Sequence, residues 1–204
     1  MPGELVMMSS DAVSRAAGLV RKGGVIAYPT DTVYGLGCDP LNESAVKRLF
    51  EVKGRGTKPV PVLCSSAAKA RELVSFSPTA ARLADATWPG ALTIVAPVKK
   101  ALPYQLTQGS GNLGVRVPSD PGCLELLERC GGWLTGTSAN ISGRPSSKSA
   151  REAMLQVGDL VDMVLDGGAR SGKESTVVLV VGDTVTILRT GPVGVGEVKG
   201  GRTS

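Results

Sequence analysis

The stretch DAVSRAAGLVRKGGVIAYPTDTVYGLG, residues 11–37, decides how this chain folds. Over 11–22 its Ala, Val and Leu residues recur at helical spacing, and Gly23-Gly24 stops the helix. VIAY (25–28) then reads as a short buried strand ended by Pro29. PTDTVYGLG (29–37) is rich in small and hydroxyl residues and reads as a loop. A helix that feeds a buried strand, which in turn opens into a polar loop, is a unit of an α/β fold.

The same grammar repeats outward. ESAVKRLFEVK (43–53) is an amphipathic helix with Asn42 as its N-cap, followed by the loop GRGTK. VPVLC (60–64) is a strand whose prolines point to an edge or a strand start. Two short helices near 66–74 and 78–86 lead through the turn WPG (88–90) into the strand LTIVAPV (92–98). Residues 99–112 read as mobile, ending in QGSGN, before the strand LGVRVP (113–118) and a helix over 121–130. WLTGTSAN (133–140) runs from a strand into a polar loop. Ser149 with Glu152 is a capping-box pattern for a helix near 150–157. Three late strands follow in VDMVLDGG, STVVLVV and TVTILRTG, the last two joined by the turn pair Gly182-Asp183. Interspersed strands and helices predict one mixed, twisted sheet with helices packed on it.

Length and composition bound the chemistry. The 204 residues suit one domain, and 42% hydrophobic residues supply a core. No apolar run approaches the roughly 18 residues of a membrane span, and the N-terminus has no secretory pattern, so a cytoplasmic protein is expected. The four cysteines, at 38, 64, 123 and 130, form no CxxC pair and read as packing residues in a reducing compartment. There is no histidine, which excludes a histidine base or metal ligand from this polypeptide. A net charge of +5 suits phosphate-bearing partners, while seven aromatic residues give no visible stacking platform for single-stranded RNA.

Five polar islands sit at strand ends, where open α/β sheets collect ligands. Lys53 and Arg55 flank a glycine after a helix and can converge on a polyphosphate, or form a solvated basic helix end. Ser138 and Asn140 follow a strand and suit phosphate or ribose, or satisfy their own turn. Ser146 lies further along that loop. Arg116, among valines, must either point to solvent or meet an anion, a ligand carboxylate or an ion-pair partner in the fold. Arg189 stands at a strand end before Thr-Gly and can reach a phosphate or lie on the surface. Ser175 and Thr176 are hydrogen-bond donors for a polar ligand or ordinary turn residues.

Taken in order, GGVIAYPTDTVYGLG (23–37), AVKRLFEVKGR (45–55), WPGALTIV (88–95), GVRVP (114–118), TSANISGRPS (137–146), DGG (166–168), ESTVV (174–178) and LRTGP (188–192) resemble the YrdC/TsaC family of L-threonylcarbamoyladenylate synthases. The resemblance spans about residues 11–192, and Thr190 stands where the family often has proline. It implies an α/β (mixed α+β) fold, a YrdC-like twisted mixed β-sheet flanked by helices, with a concave basic ligand site. It implies a nucleotidyltransferase that makes threonylcarbamoyl-AMP and pyrophosphate from L-threonine, bicarbonate and ATP. A threonylcarbamoyl transferase complex then uses the product on adenosine 37 of tRNA.

By the same resemblance, Lys53 and Arg55 are the catalytic pair at the ATP phosphates. Ser138, Asn140, Ser146 and Arg189 complete the ATP site, and Thr30, Arg116, Ser138 and Ser175 hold threonine, with Arg116 near its carboxylate. Mg2+ is expected with ATP and few protein ligands, and no resident metal site is expected. Longer family members carry a second domain; this chain is expected to be the short, single-domain form with a flexible C-terminal tail, loop 101–112 serving as any lid. The competing reading is a non-catalytic RNA-binding module that uses the basic face, and direct tRNA contact is left open.

Overall fold

The computed structural model describes residues 3–54 and 58–194. The chain forms two mixed sheets rather than the single sheet expected. The first runs β1 (Glu4–Met7), β9 (Met163–Asp166), β2 (Ile26–Pro29), β3 (Tyr34–Gly37), β8 (Thr137–Ser138). The second runs β11 (Thr184–Arg189), β10 (Thr176–Val181), β5 (Leu92–Pro97), β6 (Asn112–Arg116), β4 (Val62–Cys64), β7 (Trp133–Thr135). The two meet at Gly136, which lies between β7 on one sheet and β8 on the other. A Cβ there would lie 2.7 Å from Leu63 Cγ, so glycine gives the crossing its room. Local periodicity marks strands but does not assign them to sheets, which is why one sheet was expected.

Helices α1 (Ser10–Arg21), α2 (Glu43–Lys53), α3 (Ala67–Leu73), α4 (Pro78–Thr87), α5 (Tyr104–Thr107), α6 (Pro121–Arg129) and α7 (Ala150–Val157) pack on these sheets. Helix α1 is capped by Ser9, whose side chain accepts from Ala12 N–H. It buries Ala12, Val13, Ala16, Ala17 and Val20 and ends at Gly23, whose φ of 85° a side chain would oppose. Asn42 caps α2 as expected, through Ala45 N–H. Ser149 caps α7 through Glu152 N–H, while the Glu152 carboxylate reaches back to Lys148 N–H, one residue before the usual capping-box partner.

Several expectations change and one strand had no signal. Tyr34–Gly37, read as loop, is a fully buried strand antiparallel to β2. Its Gly35 and Gly37 lower strand propensity, yet they are there because the Tyr28 ring lies over them: a Cβ on Gly37 would sit 2.6 Å from Tyr28 Cε1. Strand β1, near the N-terminus, carried no distinct pattern and is held by parallel pairing to β9. Of the two readings of the VPVLC prolines, the strand start holds and the edge does not: β4 begins directly after Pro61 and lies between β6 and β7. Helix α5 also interrupts the segment read as mobile. The C-terminal tail from residue 195 lies outside the described residues.

The second sheet has one apolar face and one wet face. Leu92, Ile94, Leu113, Val115, Val62, Cys64, Val178 and Val180 are buried in the core. Their alternate neighbours Thr93, Val95, Gly114, Arg116, Leu63, Val177 and Leu179 line a cavity. Period-two alternation therefore makes the sheet the floor of a pocket.

Candidate functional site

The cavity measures about 760 Å³. It is also walled by Thr30, Thr32 and Val33 from the β2–β3 connection, Gly35 of β3, Thr137 and Ser138 of β8, and Asn140, Ser142 and Gly143 beyond β8. Lys53, at the end of α2, closes one side. Thus residues up to 159 positions apart in sequence, from Thr30 to Arg189, face one space.

Three clusters make up its polar surface. In the first, Lys53 Nζ, 2% exposed, lies 2.6 Å from Ser138 O, 3.3 Å from Ser138 Oγ, 3.1 Å from Asn140 O and 2.8 Å from Asn140 Oδ1. Ser138 Oγ also donates to Asn140 Oδ1 at 2.6 Å, and Asn140 Nδ2 donates to Ile141 O and Arg144 O. The lysine, the serine and the asparagine therefore bind each other, and Asn140 spends its amide on shaping the loop. Arg55 lies outside the described residues.

In the second cluster, Arg116 is buried and ion-paired through Nη2 with Asp31, and Nη1 donates to Thr32 Oγ1 at 3.3 Å. Its Nε is buried without a hydrogen-bond partner. Both readings of Arg116 thus meet: the guanidinium is held by an internal carboxylate and still faces the cavity. Ser119 Oγ supports Asp31 Oδ2 at 3.2 Å. Thr30 Oγ1 organises the turn, donating to Val33 O at 2.7 Å and lying 3.0 Å from Thr32 Oγ1.

In the third, Ser175 Oγ lies 2.9 Å from Thr93 Oγ1 and accepts from Arg189 Nη2 at 3.1 Å. Arg189 Nε donates to Ser175 O at 3.0 Å, and Nη1 pairs with Glu174. Ser146 does not line the cavity wall, but its Oγ donates to Glu174 Oε1 at 2.5 Å. Burial would raise the Glu174 carboxyl, but Ser146, Arg189, Lys53 and Ser138 together hold it below the usual carboxylate range.

Sequence reasoning missed Glu174 as a site residue, although it heads the motif ESTVV. Thr93 was also missed; its signal was a hydroxyl inside an otherwise apolar strand. The cysteines take no part: burial pushes the Cys38 thiol up to about 12, and raises those of Cys64 and Cys123 as well. Cys130 stands at the C-cap of α6 and packs against the same core cluster as Cys123.

The Sua5/YciO/YrdC family model, described as "Telomere recombination", matches residues 18–191. The chain belongs to this family. The Sua5/YciO/YrdC relatives include a threonylcarbamoyl-AMP synthase of Pyrococcus abyssi, 38% identical over 187 residues, covering 90% of this chain and 55% of the relative. A threonylcarbamoyl-AMP synthase of Halorhodospira halophila is 40% identical over 159 residues, covering 76% of this chain and 82% of the relative. This chain therefore spans about half of the archaeal relative and most of the bacterial one. The crystal structure of P. abyssi Sua5 complexed with L-threonine matches with a TM-score of 0.91 at 35% identity, covering 98% of this chain and 60% of that one. The fold described above is therefore YrdC-like. Among the described residues, no helix is long and apolar enough to cross a membrane.

Proposed function

We propose that this chain is a cytoplasmic nucleotidyltransferase that forms threonylcarbamoyl-AMP and pyrophosphate from L-threonine, bicarbonate and ATP, supplying a threonylcarbamoyl transferase complex that modifies tRNA. The observation that carries this reading is the convergence of Lys53, Ser138, Asn140, Arg116, Ser175 and Arg189 on one cavity, in a chain whose relatives bear that synthase name. The relatives favour the enzyme over an RNA-binding module, since those named are synthases.

On this reading the amine of threonine condenses with bicarbonate to a carbamate with loss of water, a carbamate oxygen attacks the α-phosphorus of ATP, and the bond to pyrophosphate breaks as pyrophosphate leaves. Negative charge gathers on phosphate oxygens, so fixed cations and positioning supply most of the acceleration. Lys53 and Arg55 act as the catalytic cations, and Arg189, Ser138, Asn140 and Ser146 hold the nucleotide. Arg116, preset by Asp31, receives the threonine carboxylate, and Thr30, Ser138 and Ser175 offer hydroxyls to the amino acid. Mg2+ enters with ATP as part of the substrate.

The test is pyrophosphate release from Mg-ATP, with and without threonine and bicarbonate. Release that requires both supports the enzyme. Salt-sensitive tRNA binding with no such release supports the RNA module instead. Arg116→Lys keeps the charge but loses the planar fork, so the KM for threonine should rise about tenfold while that for ATP stays nearly constant. Equal changes in both would remove Arg116 from the threonine side.

A further inference from the structure

Glu174 is the only acid among the described residues that line the cavity. Its two carboxylate oxygens are taken by Ser146 Oγ and Arg189 Nη1, two of the groups assigned above to ATP. Lys53 and Ser138, two more of that set, lie near enough to act on the same carboxylate. To a guanidinium and a hydroxyl, a carboxylate presents the same kind of paired anionic acceptor as a phosphate.

We propose that Glu174 is a resident stand-in for a nucleotide phosphate: it holds the nucleotide ligands in position before ATP binds and yields its contacts to the triphosphate. This rests on the nucleotide reading above. Two anions cannot share one set of donors without repulsion, so the arriving phosphate and Glu174 compete. The exchange is local. Arg189 keeps two anchors that do not involve Glu174, Nε to Ser175 O at 3.0 Å and Nη2 to Ser175 Oγ at 3.1 Å. Only Nη1 changes partner, so the guanidinium stays aimed into the site throughout. The Glu174 side chain is 32% exposed, which leaves it a path into water once displaced.

The experiment is calorimetric titration of the whole chain with two metal-free probes, tripolyphosphate and ATP, and with Mg-ATP alongside them. Glu174→Gln removes the charge while its one carbonyl oxygen still accepts from Arg189 and its amide N–H can donate to Ser146 Oγ. It should bind both metal-free probes about tenfold more tightly than the native chain, a gain of about 1.4 kcal/mol. Glu174→Asp retains the charge and should stay close to native. The direction of the change separates the proposal from a purely structural role, since loss of a strut would loosen the site and weaken binding. Unchanged or weaker binding by Glu174→Gln overturns the proposal. So does selective weakening of Mg-ATP binding, which would make the carboxylate a partner of the metal. Binding of neither probe by any form would sink the nucleotide reading itself, and this proposal with it.

Discussion

Lys53 Nζ meets four oxygens of Ser138 and Asn140, more than its three protons can serve one by one. The lysine is thus part of the loop's architecture as well as a charge for the site. Removing it leaves buried acceptors unpaired at a cost of about 1–3 kcal/mol. Lys53→Met, which keeps most of the apolar stem, should lower turnover on the order of 10²-fold. It should also lower Tm by several degrees, at about 2–4 °C per kcal/mol for a domain of this size. A thermal melt beside the pyrophosphate assay reads both. Lost activity with no change in Tm would mean that the four contacts add nothing to the fold. Arg116 shows how much the residues alone revealed. Its position among valines called for solvent or an anion, and the internal partner, Asp31, lies 85 positions away, beyond any local pattern.

At the scale of elements, the glycines of β3 are where sequence reading and structure part. Tyr34–Gly37 looked like a loop because glycine disfavours strands, and the reason for the glycines is a ring on the neighbouring strand. The fully buried Tyr28 cannot move aside, and its hydroxyl is tied to Thr135 O at 2.8 Å. Gly37→Ala should therefore destabilise the chain by about 1–3 kcal/mol, the usual cost of overpacking a core. Denaturant unfolding measures this, and a cost near zero would refute the packing account. The strands flanked by clear turns, β5, β10 and β11, and the capped helices α1, α2 and α7 were legible, because local propensity and burial agree there.

The Arg48–Asp162 link ties α2 to the start of β9. Asp162 Oδ2 accepts from Val25 N–H at 2.8 Å and from Arg48 Nη1 at 2.5 Å. Burial would raise this carboxyl, but Arg48 and the Val25 N–H hold it below its ordinary value. A depressed carboxyl contributes its full stability above the unfolded-state value of about 3.9 and loses it as pH falls through the lower folded-state value. Below about pH 4, Asp162→Asn should therefore show a flatter fall of Tm with acid than the native chain. Parallel curves would contradict the assignment.

For the whole molecule, the sequence displayed most strands, though not β1 or β3, and not their division into two sheets, since that division is made by one glycine crossing and by long-range pairing. Of the residues singled out from the ordered motifs, Lys53, Ser138, Asn140, Ser175, Arg116, Thr30 and Arg189 line one cavity, Ser146 does not, and Arg55 lies outside the described residues. What they did not reveal was that these groups hold one another, or that Glu174 sits among them, because hydrogen-bond partners follow from three-dimensional closure rather than spacing. The proposed reaction has one diagnostic product. Mass spectrometry of the purified chain incubated with Mg-ATP, L-threonine and bicarbonate should detect threonylcarbamoyl-AMP, and the species should vanish when threonine is omitted. ATP turnover that ignores threonine, with no such adenylate formed, would contradict it.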